Sequence, residues 1–211
     1  TPQKDQTYAL YNLTQYQLKH ILMPLGDYNK EQVREIASKL DLVTADKAES
    51  QEICFVEDND YGRFISDRLG TKGETGYFVD TKGRRLGTHK GIIHYTVGQR
   101  KGLGIAFGKP MYVVEIIPDQ NLVVLGDETE VFRKELTASE LNLIAYEEIK
   151  EPIKVKAKIR YSARESEALV IPLENNRVKV VFEEPQRAIT PGQAVVFYQG
   201  DVLVGGGTIE R

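Results

Sequence analysis

The chain has 211 residues, 41% hydrophobic and 28% charged, with a formal net charge of −3 and a single cysteine. That balance fits a soluble globular protein of one large domain or two to three small ones. It excludes an internal disulfide, and no apolar run approaches the ~18 residues needed to span a bilayer. An acidic chain also has no global pull towards nucleic acid, so any RNA contact must be a local patch.

A lone cysteine suits a reducing cytoplasm. The start, Thr1-Pro2-Gln3-Lys4-Asp5, has neither the basic nor the apolar region of a signal peptide. It lacks an initiator methionine, so further N-terminal sequence is expected before it. Nothing in the pattern demands more than a monomer.

The first sixty residues read as helical. Thr14 and Gln17 have capping-box spacing ahead of Leu18, Ile21 and Leu22, and Pro24 closes that helix. Asn29 and Gln32 repeat the device. Val33, Ile36, Ala37 and Leu40 then fall at i, i+3, i+4 and i+7, an amphipathic helix of about three turns. Between this helix and the next lies Ser50-Gln51-Glu52-Ile53-Cys54-Phe55, where a short apolar run follows a charged loop. On the residues alone, Cys54 is either a small buried hydrophobe or a reactive thiol. A third short helix is expected after Asp60, burying Tyr61, Phe64, Ile65 and Leu69.

From Gly70 onwards the pattern changes to alternating strands with turn residues every eight to twelve positions. The turn Thr81-Lys82-Gly83 separates two such strands. Pro118-Asp119-Gln120-Asn121 separates Met111–Ile117 from Leu122–Leu125 and marks an expected boundary. A C-terminal barrel of about six strands is expected beyond it. The fold class is α+β.

Two stretches concentrate cations. In Ile153–Tyr161, Lys154, Lys156, Lys158 and Arg160 share one strand face, opposite Ile153, Val155, Ala157, Ile159 and Tyr161. Such a face is either solvated edge protection or a phosphate contact. The run from His89 to Gly104 mixes glycines with Lys90, Arg100 and Lys101. It is either a glycine-rich β linker or an anion cradle, and it lacks the Gly-Lys-Ser/Thr of a Walker loop. The histidines and the cysteine lack zinc-ligand spacing, so no metal site is expected.

Five stretches carry a family resemblance: Lys4–Leu13 (KDQTYALYNL), Ser50–Phe64 (SQEICFVEDNDYGRF), His89–Ala106 (HKGIIHYTVGQRKGLGIA), Lys158–Arg164 (KIRYSAR) and Thr190–Ile209 (TPGQAVVFYQGDVLVGGGTI). With these in order, the chain is identified as a member of the bacterial tRNA-specific 2-thiouridylases, the MnmA or TrmU family. The resemblance implies three parts. Residues 1–61 would be the helical tail of an ATP-pyrophosphatase-type catalytic domain, 62–117 a small β-rich central domain, and 118–211 an antiparallel β barrel.

It further implies that Cys54 is the catalytic cysteine that carries sulfur as a persulfide to carbon 2 of the wobble uridine. A second cysteine, outside this chain, would release the sulfur by forming a disulfide with Cys54. Lys4, Asp5, Gln6, Arg160, Tyr161 and Gln193 match the family's tRNA-contacting positions. ATP with Mg would activate the uracil in the full-length enzyme, through a loop this chain does not contain. No cofactor is expected on this chain, which alone is expected to be inactive. A sulfur-donor or relay protein and tRNA are the implied partners, with no membrane. The competing reading is a non-catalytic RNA-binding barrel in which Cys54 is a core residue. The cations Lys90, Arg100 and Lys101 are expected either to approach RNA backbone or to brace the catalytic loop.

Overall fold

The computed structural model describes residues 5–45, 56, 60–70, 73–105 and 108–210. Cys54 and Lys4 lie outside them. Four helices come first: α1 (Thr7–Leu10), α2 (Gln15–His20), α3 (Lys30–Lys39) and α4 (Tyr61–Leu69). Both expected capping boxes form, Thr14 with Gln17 and Asn29 with Gln32, each satisfying two otherwise orphaned amides. Helix α4 starts where Asp60 accepts from the Arg63 amide at 2.9 Å and stops at Gly70, φ +66. The stripe along α3 is open to solvent, with Leu40 63% exposed. Tyr61, Phe64 and Ile65 of α4, expected to be buried, are partly buried. Gly62 lets the helix approach the Ile92–His94 turn closely, since a Cβ there would stand 2.3 Å from His94 Nδ1.

A mixed sheet follows, built from β1 (Gly76–Asp80), β2 (Arg85–His89), β3 (Tyr112–Ile117) and β4 (Leu122–Gly126) in the order β2-β1-β4-β3. The β1–β2 turn is held by Asp80, whose carboxylate accepts from the Lys82 and Arg84 amides at 2.9 and 2.8 Å. Strand β4 lies parallel to β1 and antiparallel to β3. The Pro118–Asn121 turn, read from sequence as a division, therefore joins two strands of one sheet. The apolar face of this sheet packs Phe78, Val113, Val123 and Leu125 against Tyr95 and Leu103 from the connecting loop.

The barrel begins with β5 (Phe132–Leu143) and continues through β6 (Ile153–Lys158), β7 (Ser166–Leu173), β8 (Arg177–Arg187), β9 (Ala194–Gln199) and β10 (Val202–Ile209). Six antiparallel strands close in the order β10-β5-β8-β7-β6-β9. Closure leaves no free sheet edge. In β6, Val155 and Ala157 face the core while Lys154 and Lys156 face out, as alternation requires. Strand β9 departs from that rule. Val195 and Phe197 fill the barrel, yet the outward Val196 and Tyr198 are also buried, because Tyr8 and Tyr11 cover them. The N-terminal segment is thus part of the barrel wall.

That docking depends on a glycine. A Cβ on Gly206 would lie 2.7 Å from the Tyr11 ring and 2.6 Å from the Val195 carbonyl. The Asn142 amide then donates to the carbonyls of Tyr11 and Leu13, the latter at 3.0 Å. Gly206→Ala is expected to cost about 1–3 kcal/mol through overpacking, read from urea unfolding. Unchanged stability would show that Tyr11 can retreat at no cost.

His89, buried at the end of β2, ties the sheet to its loop. Its Nδ1 accepts from the Gly91 amide at 3.1 Å, which leaves Nε2–H to donate to the Asn121 carbonyl at 3.1 Å. Desolvation holds its pKa below the ordinary histidine value. The unfolded chain therefore binds the extra proton first as the pH falls. His89 contributes its full stability above the unfolded pKa of about 6.5, and loses it progressively below. Urea midpoints at about pH 7.5 and about pH 5.5 should differ less in His89→Gln than in the parent. An equal fall in both would exclude this proton.

Candidate nucleic-acid interface

The N-terminal segment brings Asp5 and Gln6 to the barrel wall beside the end of β6. Asp5 accepts from the Thr7 amide at 2.9 Å and the Thr7 hydroxyl at 2.6 Å. Partial desolvation raises the Asp5 pKa, but these bonds and the Lys158 charge outweigh it and hold the carboxyl below its usual range. Asp5 thus acts as a fixed anion that shapes the segment. Gln6 donates from Nε2 to the Tyr161 hydroxyl at 2.9 Å.

Tyr161 is 47% exposed, yet its ring is constrained on several sides. Tyr8 meets it edge-on at 6.2 Å between centroids, and Lys158 Nζ lies 5.6 Å from its centre. Tyr8 itself donates its hydroxyl to the Ala194 carbonyl at 2.9 Å. Burial, with the nearby Tyr11 phenol adding to it, pushes the Tyr8 pKa up to about 12, so that proton stays in place. The result is a half-open aromatic face with a cation beside it, an arrangement on which a base can stack.

Arg160 points the other way. Its Nη2 donates to the Ala188 carbonyl, with the Thr190 hydroxyl at 3.5 Å. Thr190 begins the turn Thr190-Pro191-Gly192-Gln193, closed by the Gln193 amide on the Thr190 carbonyl at 3.2 Å. Proline second and glycine third, with Gly192 at φ +82, suit a type II turn. The turn leaves Gln193 exposed at the rim, next to the residue that receives the Tyr8 bond. Asp5, Gln6, Arg160, Tyr161 and Gln193, from three separate segments, therefore gather around Tyr8. The motifs nominated five of them without Tyr8 or Lys158 as contacts. Lys158 was visible only as one of four alternating cations, and Tyr8 only as part of a longer match.

Helix α4, which follows Cys54 in the sequence, packs against the 3-10 turn Ile92–His94 that leaves β2. The imidazole of His94 lies against Gly62, where a Cβ would come within 2.3 Å of Nδ1. Desolvation and the Lys90 charge keep the His94 pKa down, against the opposing pull of Asp60. Val56, two residues beyond Cys54, is buried. Among the described residues no group of three or more His, Cys, Asp or Glu side chains could hold a metal ion. Nor is any helix there long and apolar enough to cross a membrane.

Comparison with known proteins agrees with this layout. Residues 1–58 match the family described as the tRNA methyl transferase HUP domain, 62–127 its PRC-barrel domain, and 133–209 the aminomethyltransferase beta-barrel domain. The tRNA-specific 2-thiouridylase MnmA of Acetivibrio thermocellus is 65% identical over 210 residues, covering 100% of this chain. The chain belongs to the MnmA family. MnmA 1 of Clostridium tetani is 61% identical over 98% of the chain, and MnmA of Clostridioides difficile 56% over 100%. The chain spans 57% to 58% of the length of these MnmA relatives.

The Arg160 contact is open to a direct test. Arg160→Ala removes a charge-assisted bond but leaves the Ala188 carbonyl its 2.9 Å bond from Thr190. A loss of about 1–2 kcal/mol in urea unfolding is expected. Arg160→Lys should recover little of it, since an ammonium lacks the planar fork. Parent-like stability in the alanine variant would exclude this bracing role.

Proposed function

We propose that this chain is the sulfur-delivering and tRNA-gripping part of a tRNA-uridine 2-sulfurtransferase. The observation that carries the reading is the meeting of Asp5, Gln6, Arg160, Tyr161 and Gln193 on one barrel rim, since unrelated surface residues would have no reason to converge. In this reading Tyr161 offers a stacking face, Gln6 and Gln193 offer hydrogen bonds, and Lys158 adds local positive charge, while Lys4 is carried by its match to the family motif alone. Arg160 shapes the rim from behind.

Cys54 is the sulfur carrier. Its persulfide terminal sulfur bonds to carbon 2 of the uracil while the activated oxygen departs. The remaining S–S bond is opened by a second cysteine, leaving a disulfide that a reductant reopens. ATP with Mg supplies the activation of that oxygen, and is assigned to the part of the relatives' length that this chain does not span. The chain alone is therefore expected to bind tRNA without thiolating it. A sulfur-donor protein, a cytoplasmic location and a monomeric state complete the proposal.

The decisive experiment is mass spectrometry of tRNA nucleosides from cells whose only gene copy for this protein carries Cys54→Ser. Loss of 2-thiouridine with the protein still abundant is expected. Persistence of 2-thiouridine would reduce the chain to an RNA-binding barrel with Cys54 as a core residue. The same spectra read methylation, the chemistry in the family descriptions, and no change in it is expected.

A further inference from the structure

We infer that the glycine loop of residues 98–104 is a second phosphate-binding site, which continues the RNA surface from the barrel rim onto the central sheet through Arg100 and Lys101. The inference rests on the tRNA reading of the rim.

The loop is built to hold its shape. The Gly98 amide donates to the Val113 carbonyl at 2.7 Å, and the Val113 amide returns a bond to the Gln99 carbonyl at 2.9 Å. The Gln99 side chain then spans the turn, accepting from the Thr96 amide and donating to the Lys101 carbonyl, each at 2.9 Å. Leu103 anchors the loop from inside, within the sheet core. Gly102 and Gly104 adopt φ +75 and +77, and nothing lies within 4 Å of where a Cβ on Gly104 would stand. These glycines leave the backbone uncovered beside an open basin of about 430 Å³, which Arg100, Gly102, Gly104 and Lys109 help to line.

Arg100 and Lys101 are exposed, and among the described residues neither makes an ion pair or a side-chain hydrogen bond. Their neighbour Lys109 is already neutralised by Asp127 at 2.6 Å. Two adjacent unpaired cations on a rigid loop repel each other, and a phosphodiester relieves that repulsion while open glycine backbone admits it closely.

The loop also touches the rim. Gly98 packs against the methyl group of Ala188, where an added Cβ would sit 2.6 Å away, and its carbonyl accepts from Arg187 at 3.1 Å. Ala188 is the residue whose carbonyl Arg160 holds. One residue thus separates the barrel contact from the glycine loop, so a backbone crossing the rim has the loop within reach.

The test is tRNA binding by the full chain across a salt series. For Arg100→Ala/Lys101→Ala, the slope of log affinity against log salt should fall by about 1.5 units, two phosphates' worth. Arg100→Lys/Lys101→Arg should keep the parental slope. Both pairs should melt with the parent, since neither side chain is buried. If the alanine pair matches the parent while Tyr161→Ala still weakens binding, the second site is overturned and the rim reading survives. An equal loss in both pairs would also overturn it, because the contact would not be charge neutralisation. If the unaltered chain does not bind tRNA at all, the rim reading and the extension fall together.

Discussion

The arrangement of this protein hangs on the backbone of Ala188. Alanine is an unusual choice at φ +55, a left-handed conformation that normally favours glycine or asparagine. Here the residue is fully buried and each of its groups is engaged. Its amide donates to Val131, just before the barrel's first strand, at 2.8 Å. Its carbonyl receives Arg160 and Thr190, and its methyl packs on Gly98 of the central sheet's loop. The strained conformation persists because these contacts over-determine it. Arg187 adds a second clasp, reaching the Gly98 carbonyl and lying 5.7 Å from the ring centre of Tyr112. Barrel and sheet therefore meet through a few directed contacts, and Arg160, which precedes Tyr161 of the rim, holds the same Ala188 carbonyl.

The second constraint is the cover on β9. A barrel strand ordinarily shows one face to water, but here the outward residues Val196 and Tyr198 lie under Tyr8 and Tyr11. Burying both faces gains apolar burial and also converts a floppy N-terminal segment into a fixed one. Tyr161, which would otherwise be a mobile aromatic on the barrel edge, gains Gln6, Tyr8 and Lys158 as neighbours. Pre-organisation of this kind lowers the ordering cost of binding. It also explains why Gly206 lies under Tyr11, since any side chain there would lift the segment off.

The rim belongs to the barrel and the N-terminal segment, while α4 lies against His94 of the Ile92–His94 turn that follows β2. The central sheet lies in contact with both. That position gives the glycine loop its significance, because it is the part of the sheet in contact with the barrel.

Local rules made much of this legible in the sequence. The capping boxes at Thr14 and Asn29 and the Asp60 cap each depend on residues three apart, so helix starts were predictable. Strand alternation placed Val155 and Ala157 inside and the lysines outside, and the evenly spaced turns implied a barrel. Family motifs nominated the rim residues as tRNA-contacting positions but gave no sign of how their side chains are held. Only the tertiary structure decided that β4 joins β1 in parallel, since parallel pairing links strands across many residues and leaves no local signature. It likewise decided that Arg160 braces Ala188 instead of projecting freely, and that Tyr8 organises the rim. Those outcomes depend on contacts between residues 28 to more than 150 positions apart, set by barrel closure and not by any short-range pattern.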